Sequence, residues 1–462
     1  MSTLGDFLGL KRTTNAKEPK PIKTPVVGFM TKPIPTFTEL HRKHGGLVQT
    51  ELFGHKTLFV SDPKIVEEVF VLEGKGLVTR DFMYEARKPL FKNGLINSHT
   101  HPWKEQRRLM QPLFNKDAIG TWQALIEKEA ATTANRIKAM PEITVNVTKE
   151  IKRTVHSIAL QILFGKLTTA DGNNKALLNS IDTITNGMAK LLAAEVFGKG
   201  QLRWLLTLQK NKYEKALLYF TSFVQKQIDE KTGNGYGHDI LSMLMQSEDK
   251  GTGYKMPKDL LHDEMVNLFF AGQDTTNHAL AWFFYLIGKH KDSHKQITKE
   301  ITASQSKATI TEKIAAMPYT KAALYETLRL YPPVIARALH CVEDVEIGGL
   351  KVAKNTIVLF SLCATHRDDE IWEEPEKFTP ERFMPDAVAQ RHRYSWYPFG
   401  GGGHNCIGKH LAELEMMTII ATILSSIAVR TEASIKPAVS LTLRPERDII
   451  VQKTNIHYEG RH

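Results

Sequence analysis

The stretch YSWYPFGGGGHNCIGKHLAELE, residues 394–415, decides how the rest of the chain is interpreted. Its four consecutive glycines, residues 400–403, allow a backbone to turn tightly around a bulky group. Cys406 follows them, and an apolar-periodic helix begins after Gly408. A cysteine just before a helix N-terminus faces free N–H groups and the positive end of the helix dipole. Both favour the thiolate, so this stretch predicts a sulfur anion presented by a tight loop.

Cys406 admits three interpretations. A thiolate among N–H donors is a soft, strong axial ligand for haem iron. A lone cysteine is more commonly a buried structural thiol. Residues 403–410, GHNCIGKH, also resemble a phosphate loop, G-x-x-x-x-G-K, with His410 where a magnesium-binding Ser or Thr is expected. Too few residues follow Lys409 for the α/β domain of a nucleotide loop, so the haem ligand is favoured over the phosphate loop.

Composition and charge narrow the class of protein. The chain has 462 residues, 42% hydrophobic and 24% charged, which excludes a disordered, collagen-like or disulfide-stapled protein. The net charge of +11 suits an acidic partner, an anionic surface or nucleic acid. Three cysteines, Cys341, Cys363 and Cys406, indicate no disulfide framework and suit the cytoplasm. Residues 1–35 contain no apolar run long enough for a signal peptide or membrane anchor.

The remaining pattern predicts a mainly α-helical chain with small β-sheets. Residues 1–25 are expected to be a flexible segment, and residues 26–462 a single domain. Residues 47–60 alternate and break at Gly54-His55, which is typical of a hairpin. Further strands are expected near residues 345–360 and 449–451. Residues 231–253, rich in Gly and Asp, are expected to form a loop.

Residues 257–289 predict a helix roughly 48 Å long, apolar all round and therefore buried. Asp274, Asn277 and His278 within it argue against a transmembrane span. The Thr275 hydroxyl can bond to the carbonyl of residue 271 and loosen the helix there. Asp274 and Thr275 would then place an acid and a hydroxyl in an apolar wall, where the pair can relay protons.

Four separated motifs together resemble the cytochrome P450 superfamily. Phe399-x-x-Gly402-x-His404-x-Cys406-x-Gly408 is similar to its haem-binding signature, with His404 where arginine is most common. The others are Trp103-x-x-x-Arg107, the acid–alcohol motif AGQDTT at residues 271–276, and Glu326-x-x-Arg329 with the later Pro380-Glu-Arg382-Phe. The resemblance implies the family fold, a helical prism around haem with a small β-rich lobe.

The resemblance also implies a role for each matching residue. Cys406 would be the iron ligand, and further haem contacts would come from Trp103, Arg107, His404, Phe399, Gly408 and Arg337. For Arg337 the match is ambiguous, because the family's position falls nearer Leu339. Asp274 and Thr275 would be catalytic. Glu326, Arg329 and Arg382 would brace the thiolate loop, and the substrate pocket would include Phe269, Ala271, Val334, Ile335, Ala336 and Thr442.

The implied function is a haem-thiolate monooxygenase that inserts one atom of O₂ into a lipophilic substrate, such as a fatty acid, terpenoid or steroid. Haem b is the expected cofactor, O₂ the co-substrate, and NAD(P)H the indirect electron source through a reductase. An acidic ferredoxin or flavodoxin would dock on a basic surface that includes Lys104, Arg108 and Lys409. We expect a monomer in the cytoplasm, without a transmembrane anchor and without bound nucleic acid, for which no motif is present.

Two alternatives stay open at this point. A peroxide-driven or non-hydroxylating haem-thiolate enzyme shares the fold, although such enzymes usually lack the acid–alcohol pair. A non-catalytic haem sensor is the alternative from a different class, and it would require an effector segment for which the chain offers no obvious length.

Overall fold

The computed structural model describes residues 22–23, 28, 32–52, 54–80, 84–165, 172–197, 207–440 and 442–455. The expected fold class is confirmed, because helices dominate these residues and the sheets are small. The flexible segment expected at residues 1–25 lies outside them, apart from the strand Ile22–Lys23. The single domain over residues 26–462 stays a prediction. No described helix combines the length and hydropathy that a membrane crossing requires.

The helices are α1 (Pro33–His44), α2 (Pro63–Gly74), α3 (Tyr84–Phe91), α4 (Thr100–Met110), α5 (Lys116–Gly120), α6 (Gln123–Ala139), α7 (Val147–Phe164), α8 (Gly172–Phe197), α9 (Thr207–Asn234), α10 (Ile240–Gln246), α11 (Lys258–Lys289), α12 (Lys291–Ser304), α13 (Ile310–Ala315), α14 (Pro318–Leu330), α15 (Leu362–Thr365), α16 (Pro385–Ala389) and α17 (Lys409–Leu424). The strands are β1 (Ile22–Lys23), β2 (Leu47–Leu52), β3 (His55–Val60), β4 (Val78–Thr79), β5 (Thr144–Asn146), β6 (Ala336–Cys341), β7 (Val345–Ile347), β8 (Leu350–Val352), β9 (Ile357–Ser361), β10 (Ile427–Arg430), β11 (Pro437–Val439), β12 (Leu443–Pro445) and β13 (Ile450–Asn455).

Contacts divide the chain into two compact units. The first, here called the sheet unit, comprises the described parts of Met1–Glu85, Val334–Lys377 and Ala389–Cys406. The second, the helical unit, comprises those of Ala86–Pro333, Phe378–Val388 and Ile407–His462.

The sheet unit is organised around a six-stranded sheet of order β1-β2-β3-β9-β6-β4. Its β2 and β3 are the predicted hairpin, antiparallel with Leu52 opposite His55. Gly54 in the turn has φ +79°, a conformation that favours glycine. Helix α2 packs on this sheet through Phe70, whose ring stacks on Phe360 of β9 with 5.1 Å between centroids. Glu73 therefore lies on the same helix face, one turn beyond Phe70.

The helical unit contains α11, the long helix expected from residues 257–289, with Pro257 as its N-cap residue. Most of its residues are buried, as its apolar circumference predicts. The polar residues in its first half bind a chain segment far away in sequence. Asp263 accepts from the backbone N–H of Asn93 at 3.2 Å, and Asn267 donates to the carbonyl of Phe91 at 2.9 Å. These bonds explain why polar groups are tolerated inside a buried helix.

Residues 231–253 differ from expectation, because helix α9 continues to Asn234 and α10 (Ile240–Gln246) lies where a loop was predicted. Asp239 is the reason, since its carboxylate caps α10 by accepting from the N–H of Ser242 at 2.9 Å. The same carboxylate pairs with Lys231 of α9 at 2.6 Å. Asp239, whose residue type favours a loop, is instead the N-cap residue of helix α10.

Glu326 of α14 lies at the centre of a buried ionic network in the helical unit. Its carboxylate accepts two bonds from the Arg329 guanidinium, at 2.7 and 2.8 Å, and both side chains are fully buried. The N–H of Thr379 donates to Glu326 Oε1 at 2.9 Å, and Arg382 Nε lies 3.5 Å from the same oxygen. The network therefore fastens α14 to the turn Pro380–Phe383.

Replacing Glu326 with alanine is expected to lower the free energy of unfolding by about 3–5 kcal/mol, because it leaves the Arg329 charge buried without its partner. Denaturant titration would measure the loss. Glu39→Ala is the matched control, since it removes an exposed carboxylate paired with Lys43 and should change stability little. Equal stability of the two variants would contradict a structural role for the network.

Candidate functional site

The loop from Phe399 to Cys406 requires glycine for space and for conformation. Gly400 has φ +74° and Gly402 has φ +61°. A Cβ atom at Gly401 would stand 2.4 Å from the ring of Tyr394 and 2.6 Å from that of Phe70. The N–H of Cys406 donates to the carbonyl of Phe399 at 2.8 Å, which closes the loop. The glycine run is thus required by packing within the sheet unit.

The three cysteines occupy different environments. Cys341 and Cys363 are buried, and burial raises the pKa of each thiol to about 11. Cys406 is exposed and is followed by Gly408, the N-cap residue of α17. The interpretation as a structural thiol therefore suits Cys341 and Cys363, and Cys406 is the sulfur that an incoming metal can reach.

Two of the predicted haem contacts, Arg337 and His404, meet at Glu73. Arg337 donates to a Glu73 carboxylate oxygen, and His404 Nδ1 lies 3.1 Å from the same oxygen. Burial alone would raise the pKa of Glu73, but the His404 bond and the Arg337 charge lower it below its usual value. Burial also lowers the pKa of His404. Leu339, the other position considered for the arginine, is fully buried in the apolar core.

Glu73 is a residue that sequence reasoning missed. It belongs to no motif, and 264 residues separate it from Arg337. The only available signal was its place at the end of α2, on the face that carries Phe70.

Trp103 and Arg107 share a face of α4, as their i, i+4 spacing predicts, and both are half-buried. They line a shallow cleft of about 470 Å³ in the helical unit, together with Lys104, Arg108, Gln111, Pro112 and Asn115. The Nε atom of Arg107 donates to Gln111 Oε1 at 2.7 Å. Arg108 pairs with Asp249 at 2.5 Å, whereas Lys104 is exposed.

Thr275 donates its hydroxyl proton to the carbonyl of Ala271 at 2.8 Å, as expected. Helix α11 continues through this turn from Lys258 to Lys289, and the loosening of the helix at Ala271 stays a prediction. The carbonyl can accept the hydroxyl beside its ordinary N–H partner. Ala271 and Gly272 are exposed and Thr275 is partly exposed, so this turn forms an accessible stretch on an otherwise buried helix.

Asp274 is held from a second element. Its carboxylate oxygen Oδ2 accepts from the hydroxyl of Thr442 at 2.7 Å. Thr442, expected in the substrate pocket, is buried, and its hydroxyl also lies 2.8 Å from Nδ1 of His278. His278 is the second residue at this site that the motifs did not indicate.

The other residues expected in the substrate pocket differ in their exposure to solvent. Phe269 is fully buried against Phe220, with 4.8 Å between ring centroids. In the sheet unit, Val334 is exposed, while Ile335 and Ala336 are half-buried.

Comparison with known proteins decides the family. The family model described as Cytochrome P450 matches residues 17–452. The chain belongs to this family. It is 28% identical over 388 residues to cyclooctat-9-en-7-ol 5-monooxygenase of Streptomyces melanosporofaciens, covering 83% of this chain and 82% of the relative. It is 25% identical to pentalenene oxygenase of Streptomyces avermitilis, covering 94% and 96%, and 29% identical to cytochrome P450 3A31 of Mesocricetus auratus, covering 94% and 90%.

The protein is therefore a cytochrome P450 monooxygenase. Membership implies a haem group, O₂, electrons from a redox partner and a hydrophobic substrate. The chemistry of Cys406 fits a haem group, because its exposed sulfur, as a thiolate, would supply a soft ligand to the iron.

Cys406→Ala is expected to abolish the absorption band that thiolate ligation gives the reduced carbon monoxide complex, because it removes the sulfur predicted to bind the iron. Cys341→Ala and Cys363→Ala should retain the band, since both thiols are buried. Difference spectra of the three purified variants would decide. A wild-type spectrum from Cys406→Ala would show that the ligand is another residue.

Proposed function

We propose that this P450 uses O₂ and external electrons to oxygenate a lipophilic, terpenoid-like substrate, and that Asp274 and Thr275 manage the protons. The observation that carries this proposal is the accessible turn of α11, where the Thr275 hydroxyl and the Asp274 carboxylate stand one residue apart. Peroxide-driven members of the family have less use for such a pair.

Haem b, bound through Cys406, would supply the O₂ chemistry, with the thiolate favouring O–O bond cleavage. Trp103, Arg107, Arg337 and His404 would bind its propionates. Glu73 supports this assignment for the last two, because its buried carboxylate orients both side chains. Thr275 would position water near the reacting oxygen, and Asp274 would deliver protons to that water. Glu326, Arg329 and Arg382 would brace the thiolate loop and take no part in the reaction.

The substrate proposal rests on two relatives, whose names specify cyclooctat-9-en-7-ol and pentalenene. We expect cyclic hydrocarbons and their alcohols to bind more tightly than fatty acids or steroids of similar size. A screen for the Soret shift that accompanies loss of the water ligand would rank these classes. Binding of fatty acids alone would exclude a terpenoid-like substrate.

We infer that the electron donor is an acidic ferredoxin or flavodoxin. The net charge of +11 and the cleft that includes Lys104 support an acidic partner, whose association would weaken with salt. Arg108 is a weaker candidate, because Asp249 already neutralises it. The proposal includes a monomer in the cytoplasm, where the two buried thiols, Cys341 and Cys363, would stay reduced.

Thr275→Ala is expected to retain haem and substrate binding but to uncouple the reaction. Electrons would still be consumed, while more of them would leave as hydrogen peroxide, because the hydroxyl that positions water is gone. Product, peroxide and NADPH consumption would be measured together with a surrogate ferredoxin and reductase.

Thr132→Ala is the matched control, since the Thr132 hydroxyl makes the same bond to a carbonyl four residues earlier on an exposed face of α6. It should couple like the wild type. Unchanged coupling of Thr275→Ala would refute the role of Thr275. Equal product yield with hydrogen peroxide alone would favour the peroxide-driven alternative.

A further inference from the structure

A polar cavity of about 90 Å³ lies in the helical unit beside Asp274. Residues of α7, α8, α11 and β12 contribute to its lining, among them Lys152, Asp182, Gln273, Asn277 and Arg444. A water molecule requires at least about 10–15 Å³ of such volume, so the cavity has room for several.

Buried amide groups at the cavity point to a polar ligand. Neither amide atom of Gln273 has a hydrogen-bond partner among the described residues, and the same holds for Asn277 Oδ1. The two residues are only 3% and 5% exposed. Buried polar atoms without protein partners are normally hydrogen-bonded to ordered water. Buried water molecules in turn bind to polar groups such as these amides.

The cavity also reaches a partly exposed edge. Lys152 of α7 pairs with Asp182 of α8, and their side chains are 37% and 45% exposed. Asp274, by contrast, has a side chain only 16% exposed. The lining thus extends from solvent-accessible charges to a carboxylate well inside the unit.

His278 and Asp274 both line this cavity, and Thr442 joins them. The Nδ1 atom of His278 lies 2.8 Å from the Thr442 hydroxyl, which in turn lies 2.7 Å from Asp274 Oδ2. The direct distance from His278 Nδ1 to Asp274 Oδ2 is 3.8 Å, too long for a hydrogen bond. The threonine hydroxyl is therefore the link between the imidazole and the carboxylate.

An ionised Asp274 sets the direction of this chain. It can only accept, so the Thr442 O–H donates to it, and the Thr442 oxygen then accepts from a protonated Nδ1 of His278. His278 must accordingly be the Nδ1–H tautomer. A protonated Asp274 permits the reverse direction, in which Thr442 donates to Nδ1 and the imidazole proton resides on Nε2.

We propose that the cavity binds a cluster of water molecules and that His278 and Thr442 relay protons from it to Asp274. The proposal rests on the proposed role of Asp274 in proton delivery. A hydrated proton that enters the cluster from solvent passes to Nε2 of His278 and leaves neutral water behind, the Nδ1 proton passes to the Thr442 oxygen, and the Thr442 proton passes to Asp274 Oδ2. One proton enters and one arrives, His278 ends as the Nε2–H tautomer, and Thr442 ends with its hydroxyl intact.

The charges around His278 favour the neutral imidazole that this relay uses. Burial lowers the pKa of His278, and the positive charges of Arg444 and Lys152 lower it further, while Asp274 opposes them. The remaining titratable groups in the lining are His156, whose pKa burial lowers to about 3, and the carboxylate of Asp182.

The first test measures the tautomer and requires no turnover. Nitrogen-15 spectra of histidine-labelled holoenzyme in its diamagnetic reduced carbon monoxide form should show His278 as the Nδ1–H tautomer, because the Thr442 hydroxyl donates to Asp274 and accepts from Nδ1. Thr442→Val should remove this preference for one tautomer, and Thr442→Ser should restore it. An Nε2–H tautomer of His278 in the wild type would overturn the relay.

The second test measures the transfer itself. Thr442→Val should reduce product per electron about tenfold or more and increase the solvent isotope effect, with recovery in Thr442→Ser. If Thr442 only supported the fold, the product per electron would not recover with the serine hydroxyl of Thr442→Ser. If Thr275→Ala uncouples the enzyme and Thr442→Val does not, the relay fails while the proposed function stands.

The third test addresses the water cluster through stability. If water satisfies the amide, Gln273→Met should lower the melting temperature, because bridging bonds to Asn277 are lost with the side chain. A rise in melting temperature would show that the amide was unsatisfied in a dry cavity, and would overturn the water site. Gln225→Met, on an exposed face of α9, is the control and should change little.

Discussion

The fully buried carboxylate of Glu326 is the constraint on which the helical unit depends. A buried charge must be matched by donors, and Glu326 recruits them from Arg329 one turn away, from Arg382, and from the backbone of Thr379. Arg382 and Thr379 belong to a separate segment of the chain, so the network holds α14 and the turn Pro380–Phe383 next to each other. Tyr331, immediately after α14, then stacks on Trp282 of α11 with 3.9 Å between ring centroids. Through this stacking, helix α14 and its ionic network contact the helix that carries Asp274 and Thr275.

Helix α11 combines two kinds of polar residue in a buried environment. In its first half, Glu264 accepts from the N–H of Leu95 at 3.0 Å, and burial raises its pKa to about 8. This carboxyl group serves structure, since it fastens a loop. Asp274, ten residues further along the helix, bonds to a side chain and borders a polar cavity instead. Two acidic residues of one helix thus differ in their partners, which are a backbone N–H for Glu264 and a side-chain hydroxyl for Asp274.

Local spacing was predictable from sequence, and long-range pairing was not. The hairpin at Gly54, the extent of α11 and the Thr275 bond to Ala271 depend on residues at most a few positions apart, so periodicity and turn chemistry suffice. Thr442, by contrast, lies 168 residues from Asp274, and Glu73 belongs to no motif at all. Such partners are selected by tertiary packing, which leaves no regular interval in the sequence. The error at α10 has a different origin, because Asp239 is equally typical of loops and of helix starts.

The unequal burial of the three sulfur atoms makes cofactor loading measurable by simple chemistry. With pKa values of about 11, Cys341 and Cys363 carry a thiolate in only about one molecule in 10⁴ at pH 7, and burial further shields them from reagents. Cys406 is exposed, so an alkylating agent applied to the folded chain would modify this sulfur selectively. A sulfur bound to metal is protected from alkylation. With Cys406 as the proposed ligand, the fraction of chains labelled once, read by mass spectrometry, would report the fraction of protein without its prosthetic group.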